Sequence, residues 1–596
     1  MKKVLICDTE TYKNYHLFAV YNPETGKSNY VEMFNDSEFG ANTIRKVMRD
    51  FTIVTFNGNN YDLPIITYAL SGKTNLQIKQ LSDEIIKSNK PAWAICKEKH
   101  ITIPSYWDSI DIIEVAPGQA SLKIYGGRLN APRMQDLPYH PDEVLTREQA
   151  DNIRDYCLND LETTALLYEE VFDKVELRIA MSEQYGLDLR SKSDAQIAEA
   201  IIKSELTKLT NKKYYAPRLE DGYTFKYQNP EIISFETEQL KDVYEQILKH
   251  GFTLRSNGSP EMPDWLSKSK IEIGESAYQM GIGGLHSTEK ARFVQPKDDE
   301  TCRDYDVSSY YPSIILQQRL APDSLGEPFL KVYQSILDRR LKAKRSGDKV
   351  TNETLKICLN GSFGKLGSKY SALYSPELLL QVTLTGQLAL LMLIEKLELN
   401  GIKVVSANTD GIVIVCKNNR ENDLNAILFD WMLQTSYELE RTDYMRLASR
   451  DVNNYVAVKH GGKYKGKGVF TEPSLAKNPD RFIIYKSVAE FIAKDVPIEQ
   501  TIKNCSDITK FVTVRRVDGG GVWQDNYLGK AVRFYKSSEI DNEIAIRYAK
   551  NSNMVPNSSG CRPLMDLPDS FPTDVDYDYY IREAYDLLSE VGYERT

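Results

Sequence analysis

Two short stretches put single carboxylates where the chain turns. In Asp304–Ser313, DYDVSSYYPS, Asp306 closes a strand-like run. Pro312 cannot continue a ladder of backbone hydrogen bonds, so the strand is expected to stop near Asp306. In Ser406–Cys416, SANTDGIVIVC, apolar pairs flank Asp410-Gly411, which reads as the turn of a hairpin and offers a second isolated carboxylate. Carboxylates so placed suit divalent cations, which prefer oxygen ligands. Between the two stretches, Val332–Arg345 has helical period, with Arg340 and Lys344 on one face. A second helix carries Lys356, Asn360 and Phe363-Gly364 at i, i+4 and i+7/8. Cations beside paired carboxylates suit a polyphosphate with its metal ions. Each feature alone also reads as a surface turn or a solvated helix face.

A second acid set opens the chain. Val4–Cys7 is a buried-strand pattern followed by Asp8-Thr9-Glu10. Strand side chains alternate, so Asp8 and Glu10 share a face, where they repel unless a cation lies between them. Ile53–Phe56 is another short strand, after which Asn57-Gly58-Asn59-Asn60-Tyr61-Asp62 forms a polar loop presenting Asp62. Thr146–Val171 has helical period with a start signal at Thr146 and Glu148-Gln149, and it carries Tyr156 and Asp160 on one face. Four acids on two strands, a loop and a helix suit a two-metal phosphodiesterase, with Tyr156 hydrogen-bonding the attacking water. Singly, each is the kind of residue that is ordinarily a solvated surface acid.

These elements must be held by a large chain. At 596 residues it is long enough for several domains. The formal net charge of −9 weighs against a nucleic-acid partner, although local basic patches decide more than the sum. Eight scattered cysteines without a CxxC pair read as reduced and non-ligating, which fits an intracellular compartment. The run Val4–Cys7 is too short for a signal peptide. The longest apolar stretch, Leu388–Ile394, falls far below the roughly 18–20 residues of a membrane span, so no membrane partner is expected. Ser375 caps a helix with Pro376 at its first position, running to Asn400-Gly401 and reading as core. Residues 176–275 read as largely helical.

The order of these motifs resembles two known families joined in one chain. Asp8-x-Glu10, Asn57 to Tyr61-Asp62 and Tyr156-x3-Asp160 resemble the three motifs of DnaQ-like 3′–5′ proofreading exonucleases. Asp306-x2-Ser309-x-Tyr311-Pro312-Ser313, Lys356-x3-Asn360-Gly361-Ser362-Phe363-Gly364 and Asn408-Thr409-Asp410 are similar to motifs A, B and C of family B DNA polymerases. Gly283-Gly284 resembles the YxGG link, and Asn453-Asn454-Tyr455 stands where the family has KKxY. The resemblance implies an α/β and α+β multidomain fold, with an RNase H-like exonuclease domain followed by a right-hand polymerase. Its parts would be exonuclease at 1–175, a helical connector at 176–285, palm at 286–322 and 371–470, compact fingers at 323–370, and thumb and tail at 471–596.

The resemblance implies template-directed DNA synthesis from dNTPs on primer-template DNA, with proofreading. Two Mg²⁺ per active site, or Mn²⁺ in its place, would be held by Asp306, Asp410 and the Val307 carbonyl, and by Asp8, Glu10, Asp62 and Asp160. Val307, Ser309, Arg340, Lys344 and Lys356 would bind the triphosphate region, Tyr311 would exclude a 2′-hydroxyl, and Asn360 and Gly364 would face the nascent pair. Asn57, Tyr61, Gly283, Gly284, Tyr455, Lys463 and Lys465 would touch DNA. Arg515, Arg516, Lys530, Arg533 and Lys536 suit a thumb on duplex product, and the acidic tail Asp566–Asp586 reads as surface. Asn408 for Asp, Gly361 for Ser, Phe363 for Tyr and Tyr310 for Leu depart from the pattern.

With the exonuclease motif at residue 8, the N-terminal domain of larger family members is expected to be missing, and the roughly fifty-residue spacings between motifs A, B and C leave no room for the insertions of protein-primed relatives. The expectation is a compact monomeric replicase of bacteriophage type in the host bacterial cytoplasm. It would use a nucleic-acid primer, displace strands weakly alone, and work with a helicase, primase or single-strand binding protein. The alternatives are a 3′–5′ exonuclease, or a nucleic-acid-binding replication factor, with a degenerate polymerase site.

Overall fold

A computed structural model describes residues 2–220 and 222–594. The chain is a mixed α/β protein that separates into two compact units. One takes in Met1–Ser193, Pro473–Phe482 and Cys505–Tyr579, and the other Asp194–Glu472, Ile483–Asn504 and Tyr580–Thr596. The first boundary falls at Ser193, beyond the expected residue 175. The segment read as one thumb and tail is shared between the two units.

The first unit is built on a five-stranded sheet of β1 (Val4–Tyr12), β2 (Tyr15–Asn22), β3 (Lys27–Phe34), β4 (Thr52–Thr55) and β5 (Asp108–Asp111), in the order β3-β2-β1-β4-β5. β1 is central, antiparallel to β2 and parallel to β4. Helices α1 (Asp62–Ala69), α2 (Leu122–Arg128) and α3 (Arg147–Glu170) carry the remaining acids and a lysine. α3 begins where the sequence signals it. Thr146 and Gln149 form a reciprocal capping box that satisfies two otherwise free N–H groups. The same unit holds the antiparallel pair Thr513–Trp523 and Asn526–Lys536. There Arg533 is fully buried, donating to the carbonyls of Leu564 at 2.7 Å and Ala131 at 3.0 Å. The expected DNA-contacting Arg533 is therefore a structural tie. The acidic tail is likewise not all surface: Asp574 is buried and accepts from Tyr535, Ser537 and Arg562.

The second unit starts with α4 (Asp194–Thr210). Residues 176–275 are less helical than expected: 211–220, 222–237 and 250–263 run without regular helix or strand. A seven-stranded sheet follows, from β6 (Ile271–Ile273), β7 (Ser276–Gly281), β8 (Gly284–Ser287), β10 (Glu300–Val307), β11 (Lys403–Asn408), β12 (Gly411–Lys417) and β13 (Leu439–Tyr444). Its order is β13-β10-β12-β11-β8-β7-β6, which sets β10 directly beside β12. A smaller sheet joins β9 (Arg292–Val294), β14 (Arg446–Asp451), β15 (Asn454–Val458) and β16 (Tyr464–Lys467). Between β10 and β11 come α5 (Tyr310–Gln317), α6 (Glu327–Ser346), α7 (Lys349–Leu366) and α8 (Pro376–Leu399). α8 is the one described helix long and apolar enough to cross a membrane, and 89% of its apolar window is buried inside the protein. A helix apolar all round is what a core position requires.

Candidate active sites

The β10–β12 ladder sets the first site. Asp306 lies opposite Gly411, and the Val307 N–H donates to the Asp410 carbonyl at 2.7 Å, so the two carboxylate residues are neighbours across the sheet. The turn falls one residue earlier than the sequence reading placed it, on Thr409-Asp410, because Gly411 is already paired in the ladder. A side chain at Gly411 would overlap the Asp306 carboxylate, so the glycine is there to make room for the acid. Thr409 has φ +58° and donates its N–H to the Leu285 carbonyl at 2.7 Å. Gly284, at φ +137°, packs on it so closely that a Cβ would stand 3.0 Å from Thr409 Cγ2. The expected DNA-contacting pair Gly283-Gly284 thus acts through Gly284 as the seat of the Asp410 turn, and Gly283 accepts from the Tyr311 hydroxyl at 3.2 Å.

Beside this floor is a cavity of about 440 Å³ lined by the acids Asp304, Asp306 and Asp410 and by the cations Arg340, Lys344, Lys465 and Lys467. Val307, Ser309 and Tyr455 also line it. Burial raises the Asp306 carboxyl to about 6, with Asp304 and Asp410 adding to the shift. Burial also raises Asp410 and lowers the Lys467 ammonium. Crowded carboxylates that repel one another fit hard divalent cations. Arg340 reaches the Ser309 hydroxyl at 3.3 Å, and its Nε is buried with no hydrogen-bond partner among the described residues. That donor fits an anion.

Sequence reasoning missed two members of this site. Asp304 shares a face with Asp306 by strand alternation and accepts from the Tyr444 hydroxyl at 2.6 Å. Lys467 lies opposite Tyr455 in register, with its ammonium 5.7 Å from that ring. Several expected members stay outside the cavity lining: Tyr311, Gly283 and Gly284, Lys356, which pairs with Glu353 at 3.7 Å, and Lys463, in the turn before β16. Asn360 and Gly364 are exposed on α7.

The departures from the family pattern find local causes. Tyr310 is buried and donates to the Gly386 carbonyl at 2.5 Å, where the missing side chain of Gly386 leaves space for its ring. A Cβ at Gly361 would stand 2.7 Å from the Asp194 carbonyl, so the glycine lets α4 press against α7. Phe363 stacks on Tyr311 at 4.3 Å. Asn408 donates to the Val452 carbonyl at 3.1 Å and accepts from the Thr409 hydroxyl at 3.1 Å. Its amide braces the turn, a task an aspartate lacks the donor to perform.

The acids of the second site gather around β1 in the first unit. Thr9, between Asp8 and Glu10, donates its hydroxyl to Asp62 at 2.7 Å, and Asp62 sits in the first turn of α1. The loop before it is held by Asp111, which accepts from the N–H groups of Asn57 at 2.8 Å and Asn59 at 2.9 Å. Tyr61 is tied to Ser82 at 2.8 Å. Burial drives the carboxyls upward. Asp8 rises well above its usual range, with Asp62, Glu10 and Asp160 contributing, while Glu10 rises to about 8 and Asp62 to about 7. Those mutual effects place all four expected acids within electrostatic reach.

Three neighbours were not legible. Lys123 of α2 bonds both oxygens of Asp160 and lies 4.1 Å from the Tyr156 ring. Asp111 anchors the loop. Cys157, expected to be non-ligating, approaches Asp8 at 3.9 Å and lies with Asp8 and Glu10 in a group close enough to share an ion. Burial pushes its thiol well above the usual range, which keeps the proton on the sulfur. The raised phenol of Tyr156, also a consequence of burial, remains a donor.

No family model and no curated protein matches the chain. Among solved structures it is similar to a family B DNA polymerase from the hyperthermophilic archaeon Pyrobaculum calidifontis. The likeness covers 100% of this chain and 78% of that one, at 13% identity and a TM-score of 0.42.

Proposed function

We propose that the chain is a template-directed DNA polymerase with a 3′–5′ exonuclease, working on primer-template DNA and dNTPs. The observation that carries this reading is the first site itself: Asp306 and Asp410 adjacent on a sheet floor, sharing the lining of a cavity of about 440 Å³ with cations from α6 and β16. The carboxylates of both clusters are hard oxygen donors that fit Mg²⁺ or Mn²⁺, and the Cys157 thiol beside Asp8, which keeps its proton, stays out of that ligand set. Such ions would activate the attacking hydroxyl or water and stabilise the leaving oxygen.

Asp306, Asp410 and the Val307 carbonyl would hold them in one unit, and Asp8, Glu10, Asp62 and Asp160 in the other. Arg340, Lys344 and Lys467 bind the triphosphate by charge, and Ser309 orients Arg340. Tyr311, fixed by stacking on Phe363 and by its bond to Gly283, forms the wall against which a 2′-hydroxyl would clash. In the exonuclease, Tyr156 donates to the water that attacks the terminal phosphodiester, and Lys123 steadies Asp160. The setting that suits this enzyme is a bacteriophage replicase in a bacterial cytoplasm, a monomer helped by a helicase, primase or single-strand binding protein.

The test is extension of a primed single strand with Mg²⁺ and dNTPs. Wild type extends and, without dNTPs, degrades. Asp306→Ala with Asp410→Ala stops extension and leaves degradation, and Asp8→Ala with Glu10→Ala does the reverse. A wild type that fails to extend overturns the polymerase reading, and degradation that survives loss of Asp8 and Glu10 overturns the exonuclease.

A further inference from the structure

We infer that a cavity of the first unit, along the outer side of α3, docks an extended, proline-rich segment of a partner protein that carries basic residues three apart. The cavity belongs to neither carboxylate cluster, so this docking goes beyond both activities. It measures about 590 Å³, and its apolar lining is Tyr21, Leu166, Tyr168 and Phe172 with Pro23 and Pro132. All of these residues lie in the Met1–Ser193 part of the first unit. Helical period separates the cavity from the acids around β1. At about 100° per residue, Glu162, Leu166 and Glu169 stand on the side of α3 opposite Asp160.

Four acids share the lining: Glu24 from the turn after β2, Glu162 and Glu169 from α3, and Asp173 from the helix Phe172–Tyr185. All four are exposed, and none of their side chains has a hydrogen bond or an ion pair among the described residues. No lysine or arginine lines the cavity among the described residues. Like charges left without partners repel a nucleic-acid strand and attract a cation. Tyr168 is a second and independent pointer to a ligand. It is 8% exposed and lines the cavity, yet its hydroxyl has no hydrogen-bond partner among the described residues. A buried phenol ordinarily finds a partner, so this one fits an acceptor brought in from outside.

The spacing of the acids and the aromatic lining select the occupant. Glu162 and Glu169 are seven residues apart on one helix, about 10 Å along its axis. In a polyproline II segment, residues three apart share an edge and stand about 9 Å from one another, so two basic residues at that spacing meet both acids. The carbonyls of such a segment make no internal hydrogen bonds and are free to accept from Tyr168. The rings of Tyr168 and Phe172 meet edge to face with centroids 5.7 Å apart, and Phe172 is still 39% exposed. Aromatic-lined grooves are the surfaces on which polyproline II ligands dock. A free polyamine would match the acids but bring neither an apolar ridge nor a carbonyl.

The test is fluorescence anisotropy of the full chain with a labelled peptide capped at both ends, KPLKPLK. Wild type is expected to bind it about tenfold more tightly than EPLEPLE, which reverses the charge, or KGSKGSK, which keeps the charge and removes the apolar residues. Glu162→Gln with Glu169→Gln, isosteric changes at exposed positions, is expected to weaken binding about fivefold through the loss of two exposed ion pairs. Tyr168→Phe is expected to weaken it about threefold through the loss of one hydrogen bond, and Phe172→Ala about fivefold through the loss of ring contact. The glutamine pair and Tyr168→Phe keep the wild-type thermal midpoint. A wild type that binds none of the peptides, equal binding of all three, or unchanged affinity in the glutamine pair overturns the inference. Displacement of KPLKPLK by an equal concentration of spermidine also overturns it, in favour of a small organic cation. Failure of the polymerase reading shows separately, as absence of primer extension by the wild type.

Discussion

The two carboxylate clusters use the same side chains in opposite settings. Around β1 Asp62 and Asp160 are buried and Asp8 and Glu10 half-buried, and one cation, Lys123, is already bonded to Asp160. On the β10–β12 floor the acids share the lining of a cavity of about 440 Å³ with four cations, and none of those cations forms an ion pair with Asp306 or Asp410 among the described residues. Fixed pairing within the cluster suits a small target, a single phosphodiester and a water. Cations held at a distance suit a larger anion that enters between them and the acids. The difference lies in where the positive charge comes from. At β1 it comes from a short neighbouring helix that is packed against α3. At β10 it comes from α6 and from β16, elements that border the cavity.

The largest expected effect that separates the clusters is at Lys123. Lys123→Ala is expected to lower degradation of single-stranded DNA about 10²- to 10³-fold, the size of losing one preorganised charge at a reacting phosphate. Extension should be unchanged, and Lys123→Arg should recover part of the loss. Equal loss of both activities would mean that Lys123 only supports folding.

Next is the seat of the other cluster. Gly284→Ala forces a Cβ onto Thr409 at a φ of +137°, displacing the Asp410 turn. Extension is expected to fall about 10- to 100-fold, as small misplacements of reacting groups do, with degradation intact. Wild-type extension by Gly284→Ala would show that the turn is not held by this contact.

A smaller effect is expected at Asn408. Asn408→Asp loses the donor to the Val452 carbonyl and adds a fourth aspartate to Asp304, Asp306 and Asp410, so it should destabilise the metal-free chain by about 1–2 kcal/mol. Extension should change less than tenfold. A large gain in activity would instead mark Asn408 as a missing ligand.

The smallest effect is in pH dependence. In both clusters the folded carboxyls stand above their usual values: Asp306 about 6, Asp62 about 7 and Glu10 about 8. Raised carboxyls mean that the folded state binds more protons than the unfolded one between about pH 4 and 8, so their contribution to stability falls as pH rises through that window. In the metal-free protein, Glu10→Gln should therefore reduce the drop in thermal midpoint between pH 5 and 8, and Mg²⁺ should reduce it in wild type. A midpoint drop that is the same in Glu10→Gln and wild type would show that Glu10 is not strained.

Much of each site was legible because it is local. Asp8 and Glu10 share a face by strand alternation, Tyr156 and Asp160 by helical period, and Thr146 with Gln149 announces the helix that carries them. The helices with Arg340, Lys344 and Phe363 form where their periodicity predicts. What was misread involved partners far along the chain. Arg533 looks like a surface cation until two backbone carbonyls, one of them at Ala131, are brought to it. Gly284 and Gly361 look like bends or losses until Thr409 and α4 are seen pressed against them.

The sequence by itself therefore determined which residues are acids at strand ends and which cations ride on helix faces, since backbone periodicity acts over a few residues. Only the tertiary structure decided that Asp306 and Asp410 are adjacent across a ladder, that Lys123 closes on Asp160, and that Lys467 enters the cavity while Lys463 and Lys356 do not. Those outcomes depend on strand register and helix packing between segments up to about a hundred residues apart, and no local pattern encodes the distance between two side chains that only folding brings together.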